Sequence, residues 1–295
     1  VLVPLDAATP MSHMADIIRC HDEPPWVPNL FMFWGGVLQA ARAAGVDVLL
    51  DGTDGDTIVS DGDGMMQDMF AAKQFRDMWR TAHRPGQRTA RTLKRVFDEG
   101  LRPRIPHALR RAYRSLRGSS DLPPGLLSDE LARRANTTNM LDLDAGNPSL
   151  PPIAAGRTAT ADADIHWYSV MAGVNSYLTE MLERSAAWHG VELQHPFYDA
   201  RLAEYCLGLP ADRKMRDGLG RWILREAMRG ELPEVIRARR DKTRLRPAFE
   251  RAVLNDLPAM ESSIRRNRDR LASYVDLAIV DDVLQRCRTA PGRFD

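Results

Sequence analysis

The chain has 295 residues, enough for one large domain or two ordinary ones. A hydrophobic share of 44%, a charged share of 27% and a net charge of +1 describe a soluble globular protein with no general attraction to nucleic acid or an anionic membrane. Cys20, Cys206 and Cys287 are odd in number, widely spaced and free of any CxxC pair, which argues against a disulfide frame or zinc site and for reduced thiols in a cytoplasmic protein. The most apolar run, Val27 to Ala41, is interrupted by Asn29 and Gln39 and is too short to span a bilayer; no signal peptide is visible. The first residue is Val1, as expected of a fragment of a longer chain.

In chain order, residues 34–44, WGGVLQAARAA, read as a helix ended by Gly45. Residues 46–50, VDVLL, are short, β-branched and apolar, as expected of a buried parallel strand. A helix, a short strand and a glycine-rich loop are the grammar of an open α/β sheet, where ligands bind beyond the carboxyl ends of strands.

The loop itself, LLDGTDGDTIVSDGDG over 49–64, alternates aspartates with glycines. A calcium-binding EF-hand loop fails on spacing. Starting at Asp51 puts Gly55 at the fifth position, Asp56 at the sixth and Gly62 at the twelfth, where an oxygen ligand, a glycine and a glutamate are needed. Two readings remain open. The loop is an acidic surface turn, since Asp and Gly are default turn residues. Alternatively it is a nucleotide loop. In that case Gly52 and Gly55 bring backbone N–H groups to phosphate oxygens, while Asp51, Asp54 and Asp56 engage nucleotide-borne Mg²⁺ or a ribose.

Residues 73–117 carry fourteen Lys or Arg against Asp77, Asp98 and Glu99, and Arg84, Arg88, Arg91 and Arg95 recur at helical spacing. The aromatics of this stretch, Phe75, Trp79, Phe97 and Tyr113, fit core spacing better than base stacking, so a nucleic-acid binder is a weak reading. GSSDLPPG (118–125) and AGNPSLPPIAAG (145–156) read as linkers. From Asp164 the chain reads helical almost to its end. Trp167, Val170, Met171, Val174, Tyr177, Leu178, Met181 and Leu182 make one apolar stripe. Further helices are expected around 202–207, 221–228, 248–254 and 277–287. The expected division is an α/β part over 1–72, a basic helical insert with linkers over 73–163 and a helical part over 164–295.

Residues 183–243 carry the most specific pattern. Arg184, Gly190, Val191, Glu192, Pro196, Phe197 and Asp199 are followed by Leu209-Pro210, Lys214, Gly218, Arg221, Leu224-Arg225, Ala227, Leu232-Pro233, Val235, Arg239 and Lys242. In this order and spacing the sequence resembles the synthetase domain of the asparagine synthase family, over roughly residues 15 to 255. Gly52, Gly55 and Asp56 then line up with the family's (S/T)-G-x-G-(G/S)-D-E loop.

The resemblance implies an ATP-pyrophosphatase-type α/β domain with a parallel sheet and helices, truncated at its N-terminus and followed by a mainly helical half. It implies an enzyme that adenylates a carboxylate with ATP and Mg²⁺, releases pyrophosphate and lets an amine form an amide. Carried over, Lys242 and Lys214 are the catalytic cations, Asp51, Gly52, Gly55 and Asp56 meet the nucleotide, and Asp56 holds the metal. Glu192, Pro196, Phe197 and Asp199 are expected to fix a corner of the core, and His189 and His195 to be structural or solvent-facing.

Asp51, Asp54 and Thr57 depart from the family's Ser or Thr, Gly and Glu, and Gln194 from its Arg. This variant, with HPFYDARLAEYCL and the basic insert, looks most like the branch that closes macrolactam rings in lasso peptides. The substrate is therefore expected to be a small amino acid or a peptide, including a precursor peptide that the basic segment would meet, with no membrane or nucleic acid. The family's SGG-x-D-S loop has no counterpart in this sequence. That favours a piece of a longer enzyme, inactive alone, or an inactive relative serving as a binding module.

Overall fold

The computed structural model describes residues 8–25, 30–83, 86–105, 126–128, 131, 160–240 and 246–289. Helix α1 spans Pro10–His21. A helical turn (Leu30–Met32) then runs into a π-helical stretch (Phe33–Leu38) and α2 (Gln39–Ala43). Strand β1 (Val48–Leu50) precedes α3 (Gly55–Val59), α4 (Met65–Ala71), α5 (Phe75–Ala82) and α6 (Thr89–Val96). Next come α7 (Ala161–Val170), α8 (Gly173–Trp188), strand β2 (Glu192–Gln194) and α9 (Ala200–Leu207). The short α10 (Ala211–Lys214) leads into a β3 (Met215–Arg216) and β4 (Leu219–Gly220) ribbon and α11 (Trp222–Ala227). The long α12 (Arg246–Arg266) and α13 (Leu277–Thr289) follow. No helix among the described residues is long and apolar enough to cross a membrane.

The expected strand is present and parallel, pairing Val48 with Glu192, Leu49 with Leu193 and Leu50 with Gln194. Its partner lies more than 140 residues further along, where the sequence reading had no strand. Both strands are launched by the same device. Gly45 (φ +69°) ends α2 and the Val46 N–H returns to the Ala41 carbonyl (3.0 Å); Gly190 (φ +68°) ends α8 and the Val191 N–H returns to the Ala186 carbonyl (3.0 Å). The left-handed conformation is cheap only for glycine, which places it at both helix ends.

The strand is not buried as expected: Val48 is 46% exposed and Leu50 62%. In this two-stranded sheet only Leu49 and Leu193 face the main core, because strand side chains alternate between faces.

That main core joins α1, the Leu30–Leu38 segment, α8, β2 and α12 through Ile17, Phe31, Trp34, Leu38, Met181 and Ala252. A second cluster, Met66, Met78 and Ala82 with Met69, Phe70 and Val96, holds α4 to α6 together. Met78 and Ala82 are buried on α5, whereas Phe75 and Trp79 of the same helix are 57% and 39% exposed, and Phe97, just after α6, 47%. The core placement expected of these aromatics is therefore overturned; Tyr113 lies outside the described residues, as do both expected linkers.

The basic segment is partly neutralised within its own helical turns. Arg95 pairs with Glu99 (2.8 Å), and Asp98 pairs with Lys94 and with Arg102 (3.8 Å).

The single stripe expected from Trp167 to Leu182 is split in two at Met171 and Ala172. Asn175 closes the break: its side-chain amide donates to the Ser169 and Val170 carbonyls at 2.7 and 3.1 Å, satisfying the end of α7. Met171 is consequently exposed, whereas Met181 is buried.

Candidate active site

The loop after β1 and the turn after β2 meet beyond the carboxyl ends of the two parallel strands. Asp51 accepts a hydrogen bond from His195 Nδ1 at 2.8 Å and also holds the Thr53 N–H (3.1 Å) and hydroxyl (2.5 Å). The His195 side chain is 7% exposed, its Nε2 has no hydrogen-bond partner, and Glu183 lies 3.8 Å from that atom. Asp54, left-handed at φ 55°, accepts from the Tyr198 hydroxyl and from Thr57 Oγ1 (3.0 Å). Burial and then the bond to Asp54 push the Tyr198 phenol well above its ordinary range.

Asp51 and Asp54, two of the three loop residues that depart from the family pattern, are therefore tied to the turn after β2, a pairing invisible at a separation of 144 residues. His195 is structural in part, but it belongs to the strand-end cluster.

Of the two amides expected to face phosphate, those of Gly52 and Gly55, the second is spent inside the loop, as is the Thr53 amide between them. The Thr53 amide serves Asp51, and the Gly55 amide serves the Gly52 carbonyl at 3.3 Å. Gly55 has a packing reason of its own: a Cβ there would sit 2.8 Å from the Phe197 ring. Gly52 has open space around it, with nothing within 4 Å of a built Cβ.

The corner expected of residues 196–199 forms as Pro196–Tyr198, one 3₁₀ turn. Asp199 caps α9 by accepting from the Arg201 and Leu202 amides (2.8 and 3.4 Å). Its bonds to Arg201 hold the Asp199 carboxyl down at about 2. Glu192 is exposed on its strand. His189 bonds the Ser185 carbonyl and meets Trp34 edge-on, a structural role.

Asp56 opens α3 and lines a pocket of about 160 Å³ between α3 and α7, together with Asp61, Asp63, Thr57, Ser60, Ile165, His166 and Ser169. Asp61 is ion-paired to Arg221 Nε at 3.0 Å, without hydrogen-bond geometry at that buried oxygen. Asp63 keeps contact with solvent. Its carboxyl is nonetheless pushed up, first by the protein around it and then by the charges of Asp61, Asp162, Glu99 and Asp56. Among the described residues no three His, Cys, Asp or Glu side chains could jointly hold a metal ion.

Behind this pocket stands a buried ion pair. Lys214 Nζ donates to Asp162 Oδ2 at 2.8 Å, with the two side chains 0% and 3% exposed. Asp162 is fixed from two sides. Asp68 on α4 accepts from the Ala161 and Asp162 amides (2.6 and 3.1 Å), and a side chain at Gly64 would run into the Asp162 backbone. The predicted cation Lys214 is thus held inside the protein by an aspartate that sequence reasoning did not single out.

Lys242 lies outside the described residues. The approach to it is anchored by Arg225, which donates to the carbonyls of Gly220 (2.9 Å), Arg237 and Arg239 (3.0 Å). Gly220 in turn abuts the Asp61 carboxylate.

His166 was missed altogether, since one histidine in a helix carries no sequence signal. A larger hollow of about 430 Å³ lies between α4, α5 and the β3–β4 ribbon, with Arg216 over the Trp222 ring at 5.5 Å. It contains none of the loop residues, so the smaller pocket beside β1 is the better candidate despite its size.

No curated protein and no solved structure matches the chain. The family model described as asparagine synthase matches residues 2–294, and at that coverage the chain belongs to the asparagine synthase family.

Proposed function

We propose that the chain provides the synthetase part of an ATP-dependent amide-forming ligase, in which a carboxylate is adenylated and an amine then displaces AMP. Family membership supports the general reaction class. The observation that carries the assignment of residues is the position of Asp56, in an acidic pocket just past the carboxyl end of β1, where α/β sheets bind their ligands.

Nucleotide-borne Mg²⁺ suits such a place. That ion commonly takes one or two protein carboxylates and completes its shell with phosphates and water, so Asp56 with a neighbouring aspartate suffices. ATP, when bound, supplies the adenylate and the departing pyrophosphate. In this reading Asp56 faces the metal, Gly52 leaves room for the nucleotide, Asp51 orders the loop through Thr53 and His195, and Lys242 steadies the pyrophosphate. Lys214, sealed against Asp162, acts by holding the α3–α7 wall in place.

The carboxylate belongs to free aspartate or to an Asp or Glu side chain of a peptide; in the second case the product is a macrolactam. One observation favours a rival, an inactive binding module: the Thr53 and Gly55 amides are spent inside the loop.

ATP–pyrophosphate exchange on the complete protein, with aspartate or an Asp-bearing peptide, separates these readings. Asp56→Asn and Lys242→Ala should each lower exchange ~10²–10³-fold, the usual effect of removing one fixed electrostatic partner. Undiminished exchange in both variants would overturn the assignment, and no exchange with either carboxylate would support the module.

A further inference from the structure

We propose that Tyr198 is a positioning residue for Asp56, acting through Asp54. The inference rests on the ligase reading, in which Asp56 faces nucleotide-borne Mg²⁺.

The turn after β2 grips the loop after β1 at three places. His195 donates to Asp51, the Phe197 ring fills the space beside Gly55, and the Tyr198 hydroxyl donates to Asp54. The His195 and Tyr198 rings meet edge-on, with centroids 6.2 Å apart and planes at 80°, so two of the grips support each other. Asp54 and Gly55 directly precede Asp56, which lines the pocket.

Asp54 is where the grip matters most. Its φ of 55° and ψ of 17° lie in the left-handed region, which is costly for a residue with a side chain and persists where surrounding contacts hold it. Those contacts reach both carboxylate oxygens. Oδ1 accepts from Thr57 Oγ1 (3.0 Å) and Oδ2 from the Tyr198 hydroxyl. The Asp54 carbonyl meanwhile accepts the Ile58 N–H (2.8 Å) and so starts α3. One residue therefore joins the turn after β2 to the first turn of the helix that carries Asp56. Asp54 stands where the family motif has glycine, which takes this backbone without support.

Two other roles fit less well. With a donor on each oxygen, Asp54 serves the protein rather than a metal. Tyr198 is unsuited to general acid catalysis, because burial and then the bond to Asp54 hold its proton far above neutral pH.

The test is binding of Mn²⁺·ATP to the complete protein, followed by the electron paramagnetic resonance signal of Mn²⁺, with the Mg²⁺ dependence of pyrophosphate exchange measured alongside. Tyr198→Phe keeps the ring and loses the donor. It should weaken Mn²⁺·ATP ~10-fold, about the worth of one hydrogen bond to a charged group. It should also raise the Mg²⁺ concentration for half-maximal exchange, while exchange at saturating Mg²⁺ stays near wild type. Tyr177→Phe removes a tyrosine–carboxylate bond elsewhere, to Glu23, and should change neither quantity. Asp54→Asn keeps an acceptor and tolerates the left-handed backbone, so it should hold most of the affinity that Asp54→Ala loses.

Equal affinities in Tyr198→Phe and Tyr177→Phe would overturn the proposal. Equal losses in Asp54→Asn and Asp54→Ala would make Asp54 a metal ligand and overturn it too; these two variants decide the question should Tyr198→Phe not fold. Binding that Asp56→Asn leaves unweakened overturns the reading of Asp56 and this inference with it. Binding weakened by Asp56→Asn and untouched by Tyr198→Phe sinks only this inference.

Discussion

Asp51 and His195 stand at the ends of neighbouring parallel strands and share a hydrogen bond of 2.8 Å, although 144 residues separate them. The loop after β1 is thereby tied to the turn after β2. With a charged acceptor such a bond contributes ~1.5–3 kcal/mol. Urea unfolding of His195→Phe, Asp51→Asn and the double variant should give a coupling energy of ~1–2 kcal/mol. Additive effects would mean that the two residues act independently.

The Lys214–Asp162 pair makes a sharper forecast. Lys214→Met alone leaves a buried carboxylate without its cation and should cost ~3–5 kcal/mol, whereas combining it with Asp162→Leu should recover most of that loss. Chemical denaturation of the three variants is the measurement. If the double variant is as unstable as the sum of the singles, packing rather than charge governs the site.

Gly55 and Gly52 should respond in opposite ways. Gly55→Ala forces a methyl against the Phe197 ring and should cost ~1–3 kcal/mol, with partial relief from Phe197→Leu. Gly52→Ala meets no neighbour and should stay within ~0.5 kcal/mol. A thermally unchanged Gly52→Ala protein that has lost nucleotide binding would place ligand against that backbone.

Acid should destabilise the fold through His166. Its folded pKa lies below the ordinary 6.5, so at pH values under 6.5 the unfolded chain binds the extra proton and stability falls until the folded pKa is passed. Asp63, with a raised folded pKa, works in the opposite sense at lower pH, gaining stability as the carboxyl protonates. Comparing wild type with His166→Gln between pH 7.5 and 5.5 isolates the first effect. The wild type should lose more stability over that interval, and parallel curves would contradict the buried, neutral ring.

The sequence was most legible where residues serve local backbone needs. Gly45 marks a helix end because a left-handed turn requires it, and Asp199 stands at the expected corner because the first amides of α9 need an acceptor. The family motif was readable for the same reason, since Arg184, Gly190 and Asp199 each perform a defined structural task; Arg184, for one, donates to the Cys20 carbonyl at 2.8 Å. What stayed hidden depends on distant partners. Glu192-Leu193-Gln194 has polar ends and becomes a strand only by pairing with β1. Asp162 looks like a linker residue until Lys214 arrives from 52 positions away. The apolar stripe over 167–182 gave no hint of its break, because the capping of α7 by Asn175 leaves the 3.6-residue period intact on both sides.

The methionine-rich cluster of α4 to α6 shares no member with the larger core, and this bears on how the molecule breathes. Regions that bury their apolar surface separately open as separate cooperative units. Amide protons in α5 and α6 should therefore exchange through a lower-energy opening than those of α8. The wall that Gly64, Asp68 and α7 build against Asp162 sits at the seam between the two units, where the acidic pocket would feel either one loosen.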